Sequence, residues 1–234
     1  MPACNICKDA GFVRSDVTDI HDKNFGKLVP CSCKAQENAA RMQASFGSAL
    51  DTSLRLSDIE NRGEGSRQMI SIGELFIENP FRMITLYGSV IAAQKSSANG
   101  NGKTTWAQAL VNECIKRGVV SVYITASDAV EYLKGGIKDE HNNVEARLDK
   151  LSSVPVLVLD ELTQTRWTEW VTDQLSTLID RRYRLDGRGT ILVMDEPPAN
   201  VLHPRLISRM REGIVIRNSD TDMRQALGES GGLL

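Results

Sequence analysis

No uninterrupted apolar run in the 234 residues approaches the roughly 20 that a membrane-spanning helix needs. The N-terminus, Met1-Pro-Ala-Cys, lacks a basic segment followed by an apolar stretch, so no secretory leader is expected. Neither charge sign is in excess: 28 Lys and Arg stand against 30 Asp and Glu, a net charge of −2. That balance argues against a surface built to coat nucleic acid, while leaving room for local basic patches. Internal repeats are absent. Cysteine is nearly absent beyond residue 33, where only Cys114 remains of five. A cytoplasmic, reducing setting is expected, and there clustered cysteines signal metal more often than disulfide. What is left, 41% hydrophobic and 25% charged, is ordinary for a globular chain long enough to bury a core.

The other four cysteines form two close pairs, Cys4-x-x-Cys7 and Cys31-x-Cys33. Paired thiolates on either side of a loop are the material of a tetrahedral zinc site. The segment between them has few apolar residues (Phe12, Val13, Val17, Ile20, Phe25, Leu28, Val29), so a structural Zn²⁺ would supply the folding free energy that burial cannot. His21 is the alternative ligand, and with four cysteines at hand it is expected on the surface. Cys114 falls on the apolar face of a helix and is expected to be plain core.

Residues 34–50 are rich in Ala, Gln, Glu, Arg and Met and favour a helix, with Phe46-Gly47-Ser48 as its expected end. Residues 51–68, with Asn61-Arg62-Gly63-Glu64-Gly65-Ser66, read as a linker. The expected division is a zinc-binding module over 1–34, helix and linker over 35–68, and a main domain over 69–234. A short helix is expected over 70–77, then a buried strand over 82–88 ending in Gly88. The spacing of Ala107, Leu110, Val111, Cys114 and Ile115 predicts a helix starting near Lys103. Further strands are expected over 119–125, 154–160, 190–194 and 213–217. Helices are expected from Ser127, as cap, to about Leu133, over 144–151, over 168–184 and over 206–211.

Between the first strand and its helix lies Gly100-Asn101-Gly102-Lys103-Thr104. Small residues ahead of a Lys-Thr pair at a helix start let backbone N–H groups wrap a triphosphate. Lys103 would reach the outer phosphates and the Thr104 hydroxyl would meet Mg²⁺. The run Asn99, Gly100, Asn101, Gly102, Lys103, Thr104 and Thr105 is the expected ATP-binding segment. Ser97 stands where the pattern G-x-x-x-x-G-K-[ST] has its first glycine. The strand ending in Asp160-Glu161 is the second half of such a site. Asp160 would hold Mg²⁺, and Glu161 would polarise the attacking water. Asp195, ending the next strand in sequence order, would point into the same place.

Two arginine clusters have alternative readings. Arg181, Arg182 and Arg184 close a helix, where cations complement the dipole, and contact with nucleic-acid phosphates is the alternative. Arg205, Arg209 and Arg211 lie in or beside a short helix, as a solvated face or as arginines offered to a neighbouring subunit's nucleotide.

These pieces resemble the AAA+ ATPases of the DnaC/DnaI helicase-loader and IstB-like group. The resemblance rests on Leu86-Tyr87-Gly88, Gly100–Thr104, Val156-Leu-Val-Leu-Asp160-Glu161, Thr190-Ile-Leu-Val, Arg205-Leu-Ile-Ser-Arg209 and Asp222-Met-Arg224, and covers roughly residues 70–226. The leading cysteines resemble the zinc module that some loaders carry. The resemblance implies an α/β fold: a five-stranded parallel sheet in the order 5-1-4-3-2 with helices on both faces. It implies that Lys103, Glu161 and, in trans, Arg209 carry catalysis, with Arg205 a second arginine of the same box. Asp195 aligns with the sensor residue, where the group usually carries Asn, Ser or Thr. It further implies ATP, Mg²⁺ and Zn²⁺ as cofactors, and a DnaB-type replicative helicase, single-stranded DNA and further copies of the chain as partners. A transposase-helper ATPase and a weakly hydrolysing nucleotide-binding scaffold are the alternative functions. Against the group's G-x-x-G-x-G-K-T, eleven residues (89–99) separate Gly88 from Gly100 where two are expected. Taking out nine, either Ile91–Asn99 or Val90–Ala98, restores the pattern, so the loop carries an insertion. The expectation is that it bulges outward.

Overall fold

In a computed structural model of the chain, residues 4–22, 25–46, 48–80, 83–89 and 99–220 are described, apart from the side chain of Arg205. Most of the insertion, Ser97 with it, and Asp222-Met-Arg224 lie outside these residues.

The N-terminal segment folds as an antiparallel pair, β1 (Phe12–Arg14) and β2 (Leu28–Pro30), followed by helix α1 (Ser32–Ala44). Next come α2 (Glu64–Glu78), β3 (Met83–Gly88), α3 (Lys103–Lys116), β4 (Ser121–Thr125) and α4 (Ala126–Lys134). The chain continues through α5 (Val144–Ser153), β5 (Val156–Asp160), α6 (Glu169–Arg184), β6 (Gly189–Met194), α7 (Pro198–Val201), α8 (Pro204–Met210) and β7 (Ile214–Asn218).

Strands β3 to β7 form one parallel sheet in the spatial order β4-β5-β6-β3-β7. Counted along the chain and read from the β7 edge, this is 5-1-4-3-2, as the resemblance implied. Strands β3 to β6 are largely buried on both faces, so they read as continuous apolar runs, whereas the edge strand β7 leaves Val215 and Arg217 exposed. Leu157 and Leu159 of β5 face a core shared with α4, α5, α6 and α8, while Val156 and Val158 face the core built on α2 and α3. Trp106 is fully buried in the second core, and its indole N–H donates to the Met69 carbonyl at 2.7 Å.

Several boundaries differ from the sequence reading for identifiable reasons. Helix α2 begins at Glu64, inside the expected linker. Its first free N–H groups are capped from the far end of the chain, because the Asp220 carboxylate accepts from the backbone N–H of Gly65 (3.2 Å) and Ser66 (2.7 Å). Gly65 is required there: a Cβ would lie 2.8 Å from Asn218 Cα. Helix α4 is capped by Thr125, whose hydroxyl accepts from Asp128 N–H at 3.1 Å, and not by Ser127. Helix α1 ends at Ala44, just ahead of the stop expected at Phe46-Gly47-Ser48.

The arginines closing α6 are not presented to nucleic acid as a group. Arg181 is paired with Glu145 and Asp149 of α5, each at 2.6 Å. Arg182 is 1% exposed and donates to the carbonyls of Leu151, Ser152, Val154 and Gly189 and to the Thr190 hydroxyl. Burial, reinforced by neighbouring Arg188, pulls its pKa down to about 9, which leaves it charged at neutral pH. Arg182 thus ties the end of α5 to the start of β6.

Candidate nucleotide and metal sites

The carboxyl ends of β3, β5 and β6 open onto a cleft of about 730 Å³, lined by residues 99–105, Asp160, Glu161, Thr163, Gln164, Met194, Asp195 and Glu196. Parallel sheets place ligand sites at this edge. Gly100 and Gly102 adopt left-handed φ values of 67° and 84°, which small residues tolerate, and α3 starts at Lys103.

Asn218, at the end of β7, clamps the loop. Its amide N–H donates to the Asn101 carbonyl at 2.9 Å, and its own carbonyl accepts from Asn101 Nδ2 at 3.1 Å. Asn101 Oδ1 in turn accepts from Lys103 Nζ at 2.9 Å. Lys103 is 5% exposed and its ammonium is also 2.9 Å from Asp195 Oδ1. The Asp195 N–H donates to the Thr163 hydroxyl at 2.8 Å. Sequence reasoning missed Asn218 and Thr163, because each acts from a different strand end or turn and belongs to no contiguous motif.

Asp160 is 2% exposed. Its carboxylate accepts from Tyr123 OH (2.9 Å), from Glu161 N–H (2.7 Å) and from the Thr104 hydroxyl. Burial raises its pKa against the effect of those three bonds. Glu161 stands in the left-handed region with φ 58°, a strained setting for a residue with a Cβ. Burial, then Asp160, Asp195 and Asp128, raise its pKa. Asp160, Glu161 and Asp195 therefore converge near the Lys103 ammonium, an arrangement that suits a triphosphate only together with a cation. The Thr104 hydroxyl beside Asp160 offers the hard oxygen donors that Mg²⁺ takes.

The structure thus gathers Asn99 to Thr105, Asp160, Glu161 and Asp195 at one cleft. Arg209 is elsewhere. It lies on α8, 2.7 Å from Asp180 and 5.1 Å over the Tyr183 ring, beside a cavity lined by Met83, Arg188, Thr190 and Ile214 at the opposite edge of the sheet. Its side chain is only 20% exposed, so it is not part of a freely solvated face. Arg205 lies in the same helix.

In the N-terminal segment, the Sγ atoms of Cys4, Cys7, Cys31 and Cys33 all lie within 4.8 Å of one another. Cys4 and Cys31 are 3.8 Å apart, Cys7 and Cys33 3.5 Å. Tetrahedral zinc with Zn–S bonds of about 2.3 Å spaces its sulfurs about 3.8 Å apart, so the cluster fits the ion. Backbone N–H groups of Cys7 and Ile6 hold the Cys4 thiol down to about 6, while Cys7 and burial push the Cys33 thiol up to about 12, so the four sulfurs ionise together only around a cation. His21 is exposed and outside the cluster, and Cys114 is buried, its thiol pushed up to about 11 by burial.

The sheet order, the glycine loop ahead of α3 and the carboxylates ending β5 define a P-loop ATP-binding domain of the AAA+ type. The family model of IstB-like ATP binding proteins matches residues 95–199. The replicative helicase loader DnaC of Escherichia coli (strain K12) is 25% identical over 201 residues, covering 82% of this chain and 78% of that protein. The structure of AMPPCP-bound DnaA from Aquifex aeolicus superposes with a TM-score of 0.64 at 25% identity, covering 80% of this chain and 58% of the other. A DnaC helicase loader crystal structure gives a TM-score of 0.59 at 21% identity, covering 71% of this chain and 97% of the other. The chain spans little more than half the length of the DnaA structure it matches. The chain is thus similar to the IstB-like ATP binding proteins over residues 95–199 and to the DnaC helicase loader over most of its length. No helix among the described residues is long and apolar enough to cross a membrane.

Proposed function

We propose that this chain is a cytoplasmic ATPase that loads a DnaB-type replicative helicase onto single-stranded DNA. The observation that carries the reading is a likeness to a helicase loader over 82% of the chain, joined to a cleft that holds Lys103, Thr104, Asp160 and Glu161 together. Lys103 and the N-terminal turn of α3 bind the phosphates. Thr104 and Asp160 hold Mg²⁺, which when bound neutralises phosphate charge. Glu161 orients and activates water. Arg209, at the other edge of the sheet, acts on a neighbouring copy's nucleotide, and to do so it must leave Asp180. The module over 1–34, held by Zn²⁺ on its four cysteines, is the helicase-gripping or assembly part. Residues 35–68 connect it to the ATPase domain over 69–234.

The test is a pull-down against a DnaB-type hexamer, with ATP turnover followed on single-stranded and duplex DNA. Capture of the hexamer and stimulation by single strands are the expected results. The match to IstB-like proteins favours a transposase-helper as the second reading, for which duplex stimulation and capture of a transposase are the signs. Failure of the unmodified protein to turn over ATP faster than a Glu161→Gln variant makes it a nucleotide-binding scaffold instead.

A further inference from the structure

Tyr123 faces two ways. It sits in β4, an edge strand of the sheet, and its backbone groups point outward, away from β5. There they meet the side chain of Gln43 from α1: Tyr123 N–H donates to Gln43 Oε1 at 2.6 Å, and the Tyr123 carbonyl accepts from Gln43 Nε2 at 2.9 Å. Gln43 is 5% exposed, and its amide stands in for the strand neighbour that the edge lacks. In the other direction the Tyr123 hydroxyl donates to Asp160 Oδ2 at 2.9 Å, with Gln108 of α3 as its second polar neighbour.

Of the three donors that orient the Asp160 carboxylate, two belong to the nucleotide motifs themselves, Thr104 and the Glu161 N–H. Tyr123 alone leads out of the site. Through Gln43 it leads into α1, whose N-cap is Cys31 and whose first turn contains Cys33. The ten residues from Cys33 to Gln43 span about 15 Å of helix. A second bond from the same N-terminal segment, Ser48 Oγ to Asp128 Oδ2 at 2.5 Å, fixes another carboxylate that acts on Glu161.

We infer that Tyr123 and Gln43 are positioning residues for the magnesium side of the nucleotide site, Tyr123 through its hydroxyl on Asp160 and Gln43 through the Tyr123 backbone. The inference rests on the ATP-binding reading above. A carboxylate that meets a cation must present one oxygen in a fixed direction. A donor that locks the other oxygen sets that direction, and removing such a partner commonly weakens metal binding by 10-fold or more. Loss of the Tyr123 hydroxyl should therefore be felt in Mg²⁺-dependent nucleotide binding and not in the contacts of Lys103 or the loop.

The experiment is binding of a fluorescent ATP analogue to the full chain, titrated with Mg²⁺ and repeated in EDTA, for unmodified protein, Tyr123→Phe, Gln43→Leu and the double variant. For Tyr123→Phe the Mg²⁺ midpoint is expected to rise about tenfold, with EDTA affinity kept within about twofold. Gln43→Leu should move the midpoint the same way, yet add less than about twofold in the Tyr123→Phe background, because both act through one bond. Thermal melting of each variant identifies any unfolded sample, and Gln43→Glu, which keeps the acceptor for Tyr123 N–H, should fall between unmodified protein and Gln43→Leu. An unchanged Mg²⁺ midpoint in Tyr123→Phe overturns the inference. So does a parallel loss in EDTA, or full additivity of the two changes. Absence of nucleotide binding by the unmodified protein overturns the ATP-binding reading as well, which separates the two failures.

Discussion

Lys103 Nζ lies 2.9 Å from Asp195 Oδ1, so the lysine expected to reach the outer phosphates is engaged by a carboxylate of its own chain. A bound triphosphate would bring negative charge to the same ammonium. Asp195 must then yield Lys103 and remain close to like charge. Replacing Asp195 by Asn removes that charge and keeps the shape. ATP affinity of Asp195→Asn should rise about tenfold, and ADP affinity much less, because ADP lacks the outermost phosphate. Paired titrations with the two nucleotides check this. A fall in ATP affinity would show that the carboxylate assists binding through a bound cation.

Glu161→Gln should lower ATP turnover at least about a hundredfold while leaving ATP binding in place, since the amide cannot take a proton from water. The pH dependence has a definite sign. Burial and the neighbouring Asp160, Asp195 and Asp128 raise the Glu161 pKa above that of an ordinary glutamate. Its base function is present above that folded-state value and is lost as pH falls through it, so the acid limb of turnover should begin at a higher pH than a solvated glutamate gives. Stability moves the other way: a raised acid pKa means the ionised form costs the folded state, and acidification through the raised values of Asp160 and Glu161 relieves that cost. Rate and melting profiles of nucleotide-free protein over the same pH range show both trends.

The sheet was legible because β3 to β6 are largely buried on both faces and three strands end in a marked position: Gly88, Asp160-Glu161, Asp195. The phosphate loop was legible from Gly100–Thr104 despite the interruption before it, since small residues next to a Lys-Thr pair have few other uses. What escaped was everything supplied over a long sequence distance. The start of α2 depends on Asp220, and the loop clamp on Asn218, 117 residues from Asn101. Arg182 looked like its neighbours Arg181 and Arg184, and only the path of α5 beneath it decides that it is buried. Propensity and spacing carry no record of such partners.

Arg182 supplies the stability prediction. Arg182→Met would leave the carbonyls of Leu151, Ser152, Val154 and Gly189 without this donor in a buried setting. A loss of about 3 to 5 kcal/mol in urea unfolding is expected. Arg182→Lys should recover little, since one ammonium cannot span acceptors that the planar guanidinium reaches on several sides. A change under about 1 kcal/mol for Arg182→Met would mean that the carbonyls find other partners.

The N-terminal module should depend on its metal. Ile6, Phe12, Ile20, Phe25 and Leu28 are between 44% and 72% exposed, so β1 and β2 enclose no apolar core of their own. Purified protein should contain about one equivalent of Zn²⁺, and Cys31→Ser should lose most of it. Stripping the metal with a chelator should open residues 4–33 to protease while the sheet domain stays folded, because the two cores of that domain draw nothing from this segment. Metal analysis together with limited proteolysis, with and without chelator, reads both effects. Well under one equivalent of zinc, or an N-terminal segment that resists protease after chelation, would show that the four sulfurs come together for another reason.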